Sequence, residues 1–117
     1  MHLLTFYVPK SHCEEVKGAL FARGAGRLGG YDSCSWEVEG TGQFRPLPGS
    51  SPYIGTELRL ERLAEMRVEM MCSDEVIAQV VDELLHVHPY EVPAYSVVEV
   101  RLPISRSRLE TRPPHAT

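Results

Sequence analysis

Three groups of side chains in this sequence have the types and spacing to do chemistry. His86 and His88 form a His-x-His pair, followed closely by Tyr90 and Glu91. A neutral imidazole beside a carboxylate suits zinc or another borderline divalent cation. Helical residues two apart point in different directions, so the two histidines do not easily share one ion. His88 with Glu91 is the better metal pair. The other reading of His88 is a helix-end residue that bonds the last carbonyls and complements the dipole.

The second group is Tyr31-Asp32-Ser33-Cys34-Ser35. A nucleophilic cysteine needs a neighbouring base and a lowered pKa, and the sequence supplies neither. Alternation with Trp36 and Val38 makes Cys34 a packed core thiol instead. The third group is Glu65, Arg67 and Glu69, which alternate with Met66 and Val68. On a wet sheet face they are ordinary cross-strand charges; under a partner they become an intersubunit network or a ligand cage. Gly24-Ala25-Gly26-Arg27-Leu28-Gly29 matches a dinucleotide-binding spacing. That motif works only between a strand and a helix N-terminus. Here it follows a helix and precedes a strand, so it is a helix stop and tight turn.

These groups are positioned by an alternation of strands and helices. Residues 3–8 form a β-rich run closed by Pro9. Ser11 to Glu14 has capping-box spacing, opening a helix with Cys13, Val16, Ala19 and Leu20 on one face and Gly24 as its stop. Residues 33–39 alternate as a strand. A Gly/Pro-rich loop spans 40–56, long enough to be functional or flexible. The second half of 57–71 reads as a strand. Ser73 caps a second helix with Asp74 and Glu75 in its first turn. Ile77, Val80, Val81, Leu84 and Leu85 make its apolar face, and Pro89 ends it. Residues 94–102 form the last strand, and 103–117 read as a disordered tail.

The order β-α-β-β-α-β is that of a ferredoxin-like α+β sandwich, in which two helices cover one sheet face. Yet the first and last strands are apolar on both sides. Leu4, Phe6 and Val8 oppose Leu3 and Tyr7 in the first, and Val98 and Val100 oppose Tyr95 and Val97 in the last. An antiparallel sheet with a wet face should alternate cleanly. The pattern therefore predicts a second subunit on the helix-free face, covering Leu3, Tyr7, Tyr95 and Val97.

Composition narrows the function. The chain of 117 residues is one domain's worth, with 43% hydrophobic and 24% charged residues. A net charge of −4 argues against nucleic acid as a main partner. No apolar run approaches the ~20 residues that span a bilayer, and no signal peptide precedes the first strand. Cys13, Cys34 and Cys72 form no CxxC pair, which suits a reducing cytoplasm.

Taken together, Gly24-Ala25-Gly26, Gly29, Tyr31 to Trp36, Gly40-Thr41-Gly42, Phe44-Arg45-Pro46, Ile54-Gly55, Glu65 to Glu69, His88-Pro89-Tyr90-Glu91 and Pro93-Ala94-Tyr95 follow a specific pattern. Over residues 2–102 the chain resembles a standalone version of the PII/CutA-like domain inserted in Nif-three-like proteins, also labelled GTP cyclohydrolase type-two-like. Two positions depart from that pattern: Val92 and Ser96 stand where the insert usually carries acids. The metal-binding hydrolase halves of those proteins lie outside the match, so their activity is not carried over.

The resemblance implies a trimer, as in PII and CutA, with ligand sites in clefts between subunits. Tyr31, Cys34, Ser35, Glu65, Arg67, Glu69, Tyr90 and Tyr95 are the candidate ligand-binding residues, and His88 and Glu91 the candidate metal ligands. Tyr31 to Cys34, the Glu65-Arg67-Glu69 row and the His88 to Glu91 turn are expected to meet across a subunit boundary, under the 40–56 loop. No residue set offers a complete nucleophile, base and orienter, so the reading is a regulatory or ligand-binding module rather than an enzyme. A metal-binding protein or metal-dependent enzyme, and an interaction partner of a Nif-three-like hydrolase, are the alternatives.

Overall fold

The first strand, β1 (His2–Pro9), sets the frame. Its even-numbered residues Leu4, Phe6 and Val8 are fully buried under the helices. A computed structural model describes residues 1–101 of the chain. After β1 come a short turn of 3-10 helix (Lys10–His12), α1 (Cys13–Ala22), β2 (Trp36–Phe44), β3 (Glu61–Cys72), α2 (Ile77–Val87) and β4 (Tyr95–Glu99). The sheet order is β2-β3-β1-β4, antiparallel throughout, as the ferredoxin-like pattern requires.

The core is one layer between this sheet and the helices. Met66, Val68, Met70 and Cys72 from β3 join the β1 residues against Val16 and Leu20 of α1 and Val80 and Leu84 of α2. Each such side chain contributes roughly 1.5–3 kcal/mol by leaving water. Leu85, expected on the apolar face of α2, is exposed instead.

The helix stops follow expectation and the starts do not. At the end of α1 the Gly24 amide donates to the Phe21 carbonyl and the Ala25 amide to the Leu20 carbonyl, with Gly24 at φ +99°. That is a Schellman cap, and it needs the left-handed residue glycine supplies. Pro89 stops α2, since His88 has already turned extended at ψ 134°. Ser11, however, caps nothing: the 3-10 turn precedes α1, and the hydroxyl pairs with His12 Nδ1 at 2.9 Å. At α2 it is the Ser73 carbonyl, not its hydroxyl, that receives the Val76 and Ile77 amides. Asp74 pairs with the N-terminal ammonium.

The strand boundaries move in three places. β2 runs on to Phe44, so the first five residues of the expected 40–56 loop are strand, with Gly40 opposite Glu65 and Gly42 opposite Leu63. β3 starts at Glu61, because that extension of β2 gives its first half a partner. β4 covers only Tyr95–Glu99 of the expected 94–102. The expected tail at 103–117 lies outside the described residues.

Register also reassigns faces. Tyr95 is opposite Phe6 and Val97 opposite Leu4, so both stand on the helix side; Ser96, opposite Thr5, and Val98, opposite Leu3, are the β4 residues on the open face. Tyr7, Arg67 and Val38 are aligned across the open face, as are Glu69 and Trp36. Trp36 is 56% and Val38 44% exposed. Alternation therefore places Trp36 and Val38 on the uncovered side. Cys34 lies before the strand and is half-buried rather than a core thiol, with its Sγ 3.6 Å from the Asp32 carbonyl.

Candidate functional site

The turn after α2 folds back over the end of the sheet, and His88 holds it there. His88 is 6% exposed, and its Nε2–H donates to the Tyr7 carbonyl at 2.6 Å. Its Nδ1 accepts the Tyr90 amide at 3.1 Å. The Tyr7 amide bonds Ala94 just beyond the last β1–β4 pair, so the imidazole completes the ladder where β4 has not yet begun. Burial pushes its pKa down, against the Tyr7 carbonyl and the Glu65 charge that push it up and with the nearby His12. With both nitrogens engaged, the ring has no lone pair for a metal. Of the expected His88–Glu91 metal pair, Glu91 also has a partner of its own: its Oε1 accepts the Ser51 amide at 3.1 Å.

That turn delivers Tyr90 onto the open face of the sheet. Its hydroxyl donates to Glu65 Oε2 at 2.7 Å. Burial, then the Glu65 bond and charge, raise the phenol's pKa strongly, so it remains a donor. The Tyr90 ring lies 6.0 Å from Phe44 at the end of β2. Glu65 folds over Gly42, where a Cβ would collide with its carboxylate. The glycine that breaks strand propensity is what leaves room for the carboxylate.

The loop after β2 closes the other side. Tyr53 Oη lies 3.3 Å from His12 Nε2, with the two rings edge-on at 5.5 Å. Between loop, turn and sheet is a cleft of about 400 Å³, lined by Tyr7, Phe44, Tyr53, Glu65, Tyr90 and Glu91 among others. That is within the usual size range of small-molecule sites. A smaller hollow of about 270 Å³ continues along the open face past Glu65 to Arg67 and Val38.

Of the expected site residues, then, one chain brings Glu65, Tyr90 and Glu91 together, with Arg67 adjacent. Glu69 is farther along β3 and 3.5 Å from Arg67. Tyr31, Cys34 and Ser35 belong to the other end: the Gly26 amide that anchors their turn bonds the Met71 carbonyl. Met71 and Glu65 are six strand residues apart, roughly 20 Å. Tyr95 stands on the helix face. Sequence reasoning missed Tyr7, Phe44, Tyr53 and His12. The available signal was a set of aromatic residues flanking the Gly/Pro loop.

A second cluster has metal-ligand types. Ligand atoms of Cys13, Glu14 and Glu37 lie within 4.8 Å of one another. Lys17 already occupies it, with its ammonium 2.9 Å from Glu14 and 2.5 Å from Glu37, and its side chain only 11% exposed. A cation there would have to displace a paired lysine.

Gly42→Ala is expected to abolish the Tyr90–Glu65 bond while the fold persists, because the carboxylate at the end of a flexible side chain can move aside. Loss of stability should stay near 1 kcal/mol, the worth of one such hydrogen bond. A crystal structure of the variant and its melting curve check both parts.

The sheet order and two helices on one face define a protein of the PII/CutA-like class. No family model matches the chain. Among solved structures, the CutA divalent cation tolerance protein of Archaeoglobus fulgidus superposes with TM-score 0.63, covering 94% of this chain and 93% of that one at 18% identity. At that identity the likeness is one of fold. A Bacillus cereus protein related to NIF3 gives TM-score 0.69 at 36% identity, over 82% of this chain and 24% of that chain. The GTP cyclohydrolase 1 type 2 homolog of Mycobacterium leprae is 45% identical over 91 residues, 78% of this chain and 24% of that protein. Its Bacillus subtilis counterpart is 40% identical over 97 residues, 83% of this chain and 26% of that protein. The chain is thus a relative of the PII/CutA-like segment of the GTP cyclohydrolase 1 type 2 homologs. It spans about a quarter of their length.

Proposed function

We propose that residues 1–102 form a PII/CutA-like ligand-binding or regulatory module, assembled as a homotrimer through the helix-free sheet face. Its small-molecule site is the cleft closed by the Tyr90–Glu65 hydrogen bond. One observation carries this reading: that bond is made inside an aromatic-lined cleft opening onto the face a neighbour would cover. A rigid sheet supplies Glu65, Tyr7 and Phe44, and a loop and a turn supply the rest, which is how binding sites are commonly built. Three free cysteines and a net negative charge suit a cytoplasmic module that does not bind nucleic acid. Among the described residues, no helix is long and apolar enough to cross a membrane.

Oligomerisation is the supporting half of the proposal. Leu3, Tyr7, Trp36, Val38 and Val98 share the open face, and all but Leu3 are exposed large hydrophobics. A patch of this kind on a monomer marks an interaction surface. A neighbour there is also what would bring Tyr31, Cys34 and Ser35 toward the cleft. Light scattering at micromolar concentration is expected to give a trimer mass, and Val38→Arg a monomer of unchanged circular dichroism. A wild-type monomer contradicts the covered face; a dimer contradicts the trimer alone.

A further inference from the structure

We propose that the cleft selects a planar, positively charged ligand: an aromatic or heteroaromatic ring carrying an amidine, guanidine or protonated amine. This rests on the cleft being a small-molecule site, and goes on to say what kind of molecule it takes.

The argument is a count of what the lining still offers. Glu65 Oε2 is engaged by the Tyr90 hydroxyl, while Glu65 Oε1 has no hydrogen-bond partner among the described residues. Glu91 Oε1 is engaged by the Ser51 amide, which leaves Oε2 as a second acceptor. Neither carboxylate makes a salt bridge among the described residues. Two of the hydroxyl donors are taken: Tyr90 serves Glu65, and the Ser50 hydroxyl serves the Leu47 carbonyl at 2.7 Å. Arg45 is the one basic residue in the lining. Two carboxylates against one guanidinium leave a net negative charge in a mainly apolar cleft.

The rings point the same way. Tyr7, Phe44, Tyr53 and Tyr90 line the space, and aromatic faces attract cations electrostatically. A planar ligand stacks against such rings, and its N–H edge meets carboxylate oxygens that lack a donor. An anion would meet two carboxylates that have no salt-bridge partner among the described residues. Tyr90 cannot relieve that repulsion, because its proton is held between the phenol and Glu65.

Three probes of one shape and different charge test this: benzamidine, benzamide and benzoate, each titrated into the 15N-labelled protein. Benzamidine is expected to shift the Ser51 and Tyr90 amides, benzamide to do so more weakly, and benzoate not at all. Glu65→Gln should weaken benzamidine by about tenfold, the worth of one charge-assisted hydrogen bond. Glu91→Gln, on an exposed turn residue, gives an independent check if the first variant is unstable. Benzoate binding at these amides as tightly as benzamidine overturns the charge assignment and leaves the cleft as a site. Benzamidine affinity unchanged in both variants also overturns the charge assignment. If no probe moves the two amides, the cleft is not a small-molecule site, and both readings fall.

Discussion

His88→Ala is expected to lower the unfolding free energy by about 2–4 kcal/mol, measured by urea denaturation at pH 8. The substitution strands two backbone groups at once, the Tyr7 carbonyl and the Tyr90 amide, and opens a cavity at a site that is 6% exposed. An unpaired buried polar group costs roughly 1–3 kcal/mol. The same residue gives a pH signature. Burial holds its folded pKa below the ordinary 6.5. Protonation therefore favours the unfolded chain. The stabilisation is complete above the unfolded value and is lost as pH falls through the lower folded value. Wild type should lose stability as pH falls below about 6.5, and His88→Gln should show a shallower loss. Asp74, whose pKa is lowered from 3.8 by the N-terminal ammonium, titrates below this window. An alanine variant within 0.5 kcal/mol of wild type, the usual spread for surface changes, would show that the imidazole anchors nothing.

The second large effect belongs to Gly26. It sits at φ +75°, its amide donates to Met71 at 2.8 Å, and its carbonyl accepts the Cys34 amide at 2.9 Å. A Cβ there would stand 2.6 Å from the Cys34 carbonyl oxygen and 3.0 Å from its nitrogen. These are backbone atoms in a bonded turn, so they cannot swing away. Gly26→Ala should cost about 2–4 kcal/mol, combining left-handed strain with backbone displacement. Gly29 is the control: it is also left-handed, at φ +56°, but a Cβ would meet nothing within 4 Å. Gly29→Ala should cost only the conformational term, about 1–2 kcal/mol. Equal losses at the two positions would remove the steric part of the account.

The contrast between these residues explains what the sequence could and could not reveal. The buried periodicity of Leu4, Phe6 and Val8 and of Val80 and Leu84 was legible because burial on one side leaves a period. The extension of β2 was hidden because Gly40 and Gly42 lower strand propensity, while the value of Gly42 is the space it leaves for Glu65. The caps failed for another reason: Ser11 and Ser73 have the right spacing, but a 3-10 turn at Ser11 and the backbone carbonyl at Ser73 took the place of the hydroxyls. The His88 to Glu91 turn stood out as a site; in the fold its histidine brackets the turn to β1, and Tyr90 is the residue that reaches Glu65. Glu65 and Tyr90 were both visible as candidates; that they bond each other depends on a backbone path no spacing encodes. Which face Tyr95 occupies was likewise fixed by pairing register, where a shift of one residue exchanges the two faces.

The most direct test of the ligand-binding account is a native mass spectrum of the protein purified gently from cells, compared with Gly42→Ala prepared identically. The account predicts a trimer carrying bound small-molecule mass for the wild type. For the variant it predicts a trimer of the same stoichiometry with that mass lost, since only the Glu65–Tyr90 corner is disturbed. A wild-type spectrum of bare monomers, or a variant that keeps the same bound mass, would contradict it.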